Sequence, residues 1–233
     1  MLDWLKKLFT KSEVVQEPAA LAPEPLPEAP PEERELPDDN FGGKVKLGII
    51  VGHSKNAQGA RMCEPHGLYE YSYNMEVAKV IKDSAPSNVT VEIILRDGSR
   101  GEIPRAYKEA RDKLCDCVIE LHFDAFNGQV RGTSTLSTPD LSDVDFSHIV
   151  HRSMITLFER KDKEDRGVRT ISKSVRGGIN VHSFPGGVNC LVEPFFGDNK
   201  LDADMGMVKR VLYAKCLLEA VILWAKKVDL IKQ

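Results

Sequence analysis

Three short segments of this chain place a potential metal ligand beside an expected strand. Ile49-Ile50-Val51-Gly52-His53 and Val118-Ile119-Glu120-Leu121-His122 each close on an imidazole, and Gly67-Leu68-Tyr69-Glu70 closes on a carboxylate. A fourth, Cys190-Leu191-Val192-Glu193-Pro194-Phe195-Phe196, delivers one more carboxylate. Two imidazoles and one carboxylate suit a zinc ion with an open fourth position, and a second carboxylate can serve that position. Apolar runs that stop at a His or Glu read as strands carrying these groups to one rim of a sheet. A strand end fixes a side chain better than a free loop does. The expected ligands are His53, Glu70 and His122, holding one zinc per chain, with Glu193 as the catalytic carboxylate.

Each of these residues also has an ordinary reading. His53 follows Gly52, which lets the backbone turn, and a lone histidine there would be structural. Glu70 could simply be a first-turn acid that complements the helix dipole. His122 could be a core histidine. Glu193 is harder to explain away, because a carboxylate inside an apolar run needs a metal, a partner or a raised pKa. Of the remaining histidines, His66 is a substitute ligand or substrate contact, and His182 is a residue that would line the cleft from a strand. His148 and His151 stand one helical turn apart, a spacing that can bind metal, but nothing else converges on them and a solvated helix face is expected.

The four segments together resemble the zinc-dependent N-acetylmuramoyl-L-alanine amidases of the Amidase_3 family. That family starts with a strand ending in Gly-His, has Gly-Ala soon after, and then Gly-Leu-x-Glu opening a helix. The matching residues are Val51-Gly52-His53, Gly59-Ala60 and Gly67-Leu68-Tyr69-Glu70. The second family histidine lies in a Ser-Ile-His-x-Asn-Ala motif, here Glu120-Leu121-His122-Phe123-Asp124-Ala125. The catalytic glutamate lies in a Leu-Val-Glu-x-Gly-Phe motif, here Leu191-Val192-Glu193-Pro194-Phe195-Phe196. Departures are Ile50-Val51 for the family's Asp-Pro, Asp124 for its Asn, and Pro194-Phe195 where a glycine is displaced. Arg105 with Ala110 is similar to the family's helix before the second histidine, in a structural role. The resemblance implies hydrolysis of the amide between N-acetylmuramic acid and L-alanine in peptidoglycan, in a phage or prophage lytic enzyme. A zinc carboxypeptidase acting on wall peptides is an alternative, although no carboxylate follows His53 at the His-x-x-Glu spacing. A wall-binding phage component that has lost activity is another.

The chain has 233 residues, 42% of them hydrophobic and 29% charged, which describes a globular protein. No apolar run approaches the roughly 20 residues that span a bilayer. Five cysteines argue against a disulfide framework, and Cys115-x-Cys117 lacks the spacing of a redox or zinc pair, so buried thiols are expected. Residues 1–10 put Leu2, Trp4, Leu5, Leu8 and Phe9 on much of one helical face, which would suit weak docking to a membrane or a protein. Their apolar part is too short for the h-region of a signal peptide. Synthesis and folding in the cytoplasm are therefore expected, with action on the wall after release or from a virion. Residues 11–43 form a Pro/Glu-rich linker: seven of the 13 prolines lie between Pro18 and Pro37. Residues 1–43 carry a net charge of −6 against −3 for the whole chain, so residues 44–233 carry +3. That suits peptidoglycan, an anionic polymer, and gives no reason to expect nucleic acid binding.

Residues 44–233 form the expected catalytic domain. Strands are expected at 45–51, 89–95, 117–122, 178–184 and 188–192, and helices at 70–82, 104–114, 142–160 (capped by Ser142 or Asp143) and 204–227. Alternation of this kind predicts an α/β three-layer sandwich with a mainly parallel, mixed central sheet flanked by helices.

Overall fold

The computed structural model describes residues 43–231. The amphipathic segment and the Pro/Glu-rich linker expected at residues 1–10 and 11–43 lie outside the described residues, apart from Gly43. Six strands form one sheet: β1 (Val45–Ser54), β2 (Val89–Arg96), β3 (Cys117–Leu121), β4 (Thr133–Ser137), β5 (Asp165–Thr170) and β6 (Val188–Glu193). Their order is β2-β1-β3-β6-β4-β5. The pairs β2–β1, β1–β3 and β3–β6 are parallel, β6–β4 is antiparallel, and β4–β5 is parallel. The sheet is therefore mixed and mostly parallel, as expected.

The period of two along a strand explains the layers. Leu47, Ile49 and Val51 of β1 share a core with Ile119, Leu121 and Val192. Helices α1 (Glu70–Asp83), α3 (Leu141–Leu157) and α6 (Arg210–Lys227) pack on this face through Val77, Phe146, Leu217 and Trp224. Ile50, Ile94 and Val118 point the other way and meet Ala106, Tyr107 and Ala110 of α2 (Glu102–Asp112). A strand covered on both faces is mostly apolar, which is why β1 reads as an apolar run over Leu47–Val51 and β3 as one interrupted only by Glu120. Among the described residues all five cysteines are free, and three of them, Cys115, Cys117 and Cys190, are buried. No described helix is long and apolar enough to cross a membrane.

Four expectations need correction. Residues 178–184 do not form a strand; Gly178–Val181 is a short helix, α4. Its backbone enters through Gly177 at φ +82°, a left-handed conformation that interrupts extended chain. The helix expected at 142–160 is capped by Asp140, whose carboxylate accepts from Ser142 N at 2.8 Å. Asp143 is instead buried and accepts from Asn189 N at 2.8 Å. That helix stops at Leu157, and Arg160 turns inward to a 2.7 Å ion pair with Asp202. The last helix is two: α5 (Lys200–Val208), capped by Asn199, and α6. The strands β4 and β5 carry no hydropathy signal. In Thr133-Ser134-Thr135-Leu136-Ser137 every residue is buried, yet only Leu136 is apolar. Two of its hydroxyls find partners inside the protein: Thr133 donates to Pro194 O at 2.5 Å and Thr135 bonds His151 at 3.0 Å.

Candidate active site

The functional side chains gather where the parallel strands end, as ligands do in open α/β sheets. Val51 of β1 stands beside Leu121 of β3, and Leu121 beside Val192 of β6. His122 and Glu193 are the next residues along their strands, so the sheet register makes them neighbours. His53 follows two residues after Val51, at φ +66°. That left-handed backbone is uncommon for a non-glycine residue and marks a constrained position. Glu70 enters from the opposite side in the first turn of α1, anchored by its amide to Ala60 O at 2.9 Å.

His53, Glu70 and His122 each offer one ligand atom, and these atoms lie within 4.8 Å of one another. Nε2 of His53 is 3.1 Å from Glu70 Oε2, and Nδ1 of His122 is 2.7 Å from Glu70 Oε1. The backbone makes room for this cluster. A Cβ on Gly52 would stand 2.6 Å from the His122 ring, and one on Gly59 would stand 2.6 Å from Glu70 Oε2 and 2.5 Å from the His53 ring. The donors fit a divalent metal: two imidazoles and a carboxylate converge on one point from separate elements, with space held open by glycine.

Charge supports the same reading. Burial alone would raise the pKa of Glu70, but its hydrogen bonds with His122 and His53 outweigh burial and hold the carboxyl down at about 2. Glu70 is thus an anion at neutral pH. Glu193 goes the opposite way. Burial, together with the neighbouring Asp124 carboxylate that hydrogen-bonds it, pushes its pKa up to about 8. Such a group binds and releases a proton near neutral pH, which general acid–base chemistry requires. A cleft of about 400 Å³ lies over these groups, lined by His53, His122, Asp124 and Glu193.

The other histidines do not join. His66 is 2.8 Å from Asp204 of α5. His182 follows α4 and donates to Ile171 O at 2.8 Å, and it is not among the residues that line the cleft. His148 is exposed as expected, but His151 is buried and held between Thr135 and Asp165. Arg105 is exposed and pairs with Asp97.

One group of the site is not singled out by sequence reasoning. Glu120, fully buried in β3, accepts from Nε2 of His122 at 3.1 Å, Arg96 at 3.1 Å, Tyr107 at 2.8 Å and Asn180 at 2.9 Å. The available signal is a charge inside the run Val118-Ile119-Glu120-Leu121, where both faces of the strand are covered. By engaging Nε2 it leaves Nδ1 of His122 directed at the Glu70 side.

The model of the N-acetylmuramoyl-L-alanine amidase family, Amidase_3, matches residues 47–222, and the chain belongs to that family. Among solved structures, the catalytic domain of CwlV from Bacillus (Paenibacillus) polymyxa var. colistinus is 16% identical, with a TM-score of 0.62, covering 80% of this chain and 99% of that one. The catalytic domain of the CD27L endolysin targeting Clostridia difficile is 24% identical, with a TM-score of 0.60, covering 76% and 97%. The amidase AmiC2 of Nostoc punctiforme is 17% identical, with a TM-score of 0.60, covering 79% and 98%. No curated protein matches the chain.

Proposed function

We propose that the chain is a zinc-dependent N-acetylmuramoyl-L-alanine amidase that cuts the bond between the lactyl group of N-acetylmuramic acid and the L-alanine of the stem peptide. The observation that carries this reading is the convergence of His53, Glu70 and His122 within 4.8 Å, beside a glutamate whose pKa is pushed up to about 8. His53, Glu70 and His122 would hold the ion. When bound, zinc supplies a Lewis acid for the scissile carbonyl and acidifies water. Glu193 takes a proton from the attacking water and passes it to the departing nitrogen. Asp124 keeps that proton affinity high enough for the transfer to the amine. Glu120 holds the His122 ring in orientation, and family membership supports the wall as the place of action.

The finer reading is a phage or prophage lytic enzyme, in keeping with the endolysin domain among the structural neighbours. Dye release from labelled peptidoglycan, with and without a chelator, tests the activity. The expected result is release by the zinc-loaded chain and none after chelation. Release that survives complete removal of metal would refute the zinc reading.

A further inference from the structure

Residues 166–177 run from β5 into α4 and carry Arg166, Arg169, Lys173 and Arg176, all exposed, with no acidic residue among them. Arg166 lies over the Phe196 ring at 5.1 Å. Among the described residues none of the four side chains forms an ion pair. Some surface cations elsewhere are matched, as in Arg61–Glu64, Lys108–Asp112 and Lys200–Asp204. Two of the unmatched guanidinium groups, Arg169 and Arg176, line the same cleft as His122 and Glu193. The amidase mechanism assigns them no role.

The geometry points to a carboxylate-binding subsite, formed by Arg169 and Arg176, for the stem peptide on the leaving side of the scissile amide. This rests on the amidase reading. Guanidinium forks match carboxylates in two-point contact. Beyond L-alanine the stem peptide continues with D-glutamate linked through its side chain, which leaves an α-carboxylate about one residue, roughly 3.5 Å of extended chain, past the L-alanine. Leu136, Ile171, Val175 and Leu191 also line the cleft, and their apolar surface strengthens an ion pair formed beside it.

The test compares the γ-methylamide of N-acetylmuramoyl-L-alanyl-D-glutamate with that of its D-isoglutamine counterpart, so that the side-chain carboxylate is blocked in both and a neutral amide replaces the α-carboxylate in the second. Both are given to the zinc-loaded full chain and to the double variant R169Q/R176Q. The parent is expected to favour the acid in kcat/KM by about tenfold or more, the size of a charge-assisted hydrogen bond. The variant is expected to lose that preference and to hydrolyse the isoglutamine compound at the parental rate. Equal kcat/KM for the two compounds in the parent would overturn the subsite and leave the amidase reading intact. So would an equal loss on both compounds in a variant whose circular dichroism matches the parent's. The parental comparison decides alone if the variant does not fold. Hydrolysis of neither compound by the parent would overturn the amidase reading itself, and the subsite with it.

Discussion

Glu120 Oε1 stands 3.1 Å from Nε2 of His122, on the opposite side of the ring from Glu70, whose Oε1 is 2.7 Å from Nδ1. The imidazole is therefore gripped from both nitrogens, and only Nδ1 faces Glu70. A carboxylate behind a metal-binding histidine fixes its tautomer and raises its basicity. Glu120→Gln keeps the shape and removes the charge, while Arg96 retains Glu102 as a partner. Zinc affinity, read by competition with a chelator, should fall by about tenfold, at the low end of the range for such partners. Unchanged affinity would mean that Glu120 serves the core alone.

Gly59 tests the same centre without touching a ligand. Its φ of +79°, and the mere 2.6 Å that would separate a Cβ there from Glu70 Oε2, leave no place for a side chain. Gly59→Ala should lose zinc as Glu70→Ala does, while its far-ultraviolet circular dichroism stays parental. Full zinc retention in Gly59→Ala would show that the donors have more room than their spacing implies.

Arg160 and Asp202 form a buried ion pair at 2.7 Å that ties the end of α3 to α5. Asp202 also accepts from the amides of Gly132 and Phe196, each at 3.0 Å. Asp202→Ala removes the buried counter-charge of Arg160 and leaves it only the part-exposed Glu164 at 3.6 Å, and breaking a buried pair from one side costs about 3–5 kcal/mol. Urea denaturation should show a loss of that size. A loss under about 1 kcal/mol, the range of exposed pairs, would contradict the burial of this one.

These residues also show what is legible in the sequence. His53, His122 and Glu193 announce themselves because apolar strands end on them, and Glu70 because it opens an amphipathic helix. The parallel half of the sheet, β1, β2, β3 and β6, follows from the same apolar runs. The antiparallel addition does not, since β4 is Thr133-Ser134-Thr135-Leu136-Ser137 and its burial depends on hydroxyl partners far away in sequence. Gly178–Val181 looks extended by composition, and only the left-handed turn at Gly177 makes it a helix. The break between α5 and α6 depends on tertiary contact: Tyr73 donates to Gly206 O at 2.8 Å, and the Phe195 ring lies 2.6 Å from where a Cβ on Gly206 would stand. Glu120 is visible as a charge in a buried strand, but its partner Asn180 lies 60 residues away.

Glu193 gives a pH signature in the metal-free protein. Its folded pKa of about 8 lies above the ordinary value of 4.5, so the folded state prefers the protonated form. Below pH 4.5 the group is protonated in both states and costs nothing. As pH rises towards 8, ionisation favours unfolding and the site increasingly destabilises the fold. Glu193→Gln removes this penalty. The variant should melt higher than the parent at pH 9, with the difference shrinking to almost nothing at pH 4. A difference independent of pH would show that Glu193 ionises as an ordinary surface carboxylate.

The most direct measurement is mass spectrometry of the products from soluble muramyl peptides treated with the zinc-loaded chain, the chelated chain and Glu193→Gln. A zinc amidase with Glu193 as its acid–base group predicts peptides with a new N-terminal L-alanine, unchanged reducing ends and loss of product on chelation. It also predicts a rate about 10²–10⁴-fold lower in Glu193→Gln at parental zinc content. New reducing sugar would indicate a glycosidase, and release of terminal D-alanine alone a carboxypeptidase. Either product, or parental turnover by Glu193→Gln, would contradict that assignment.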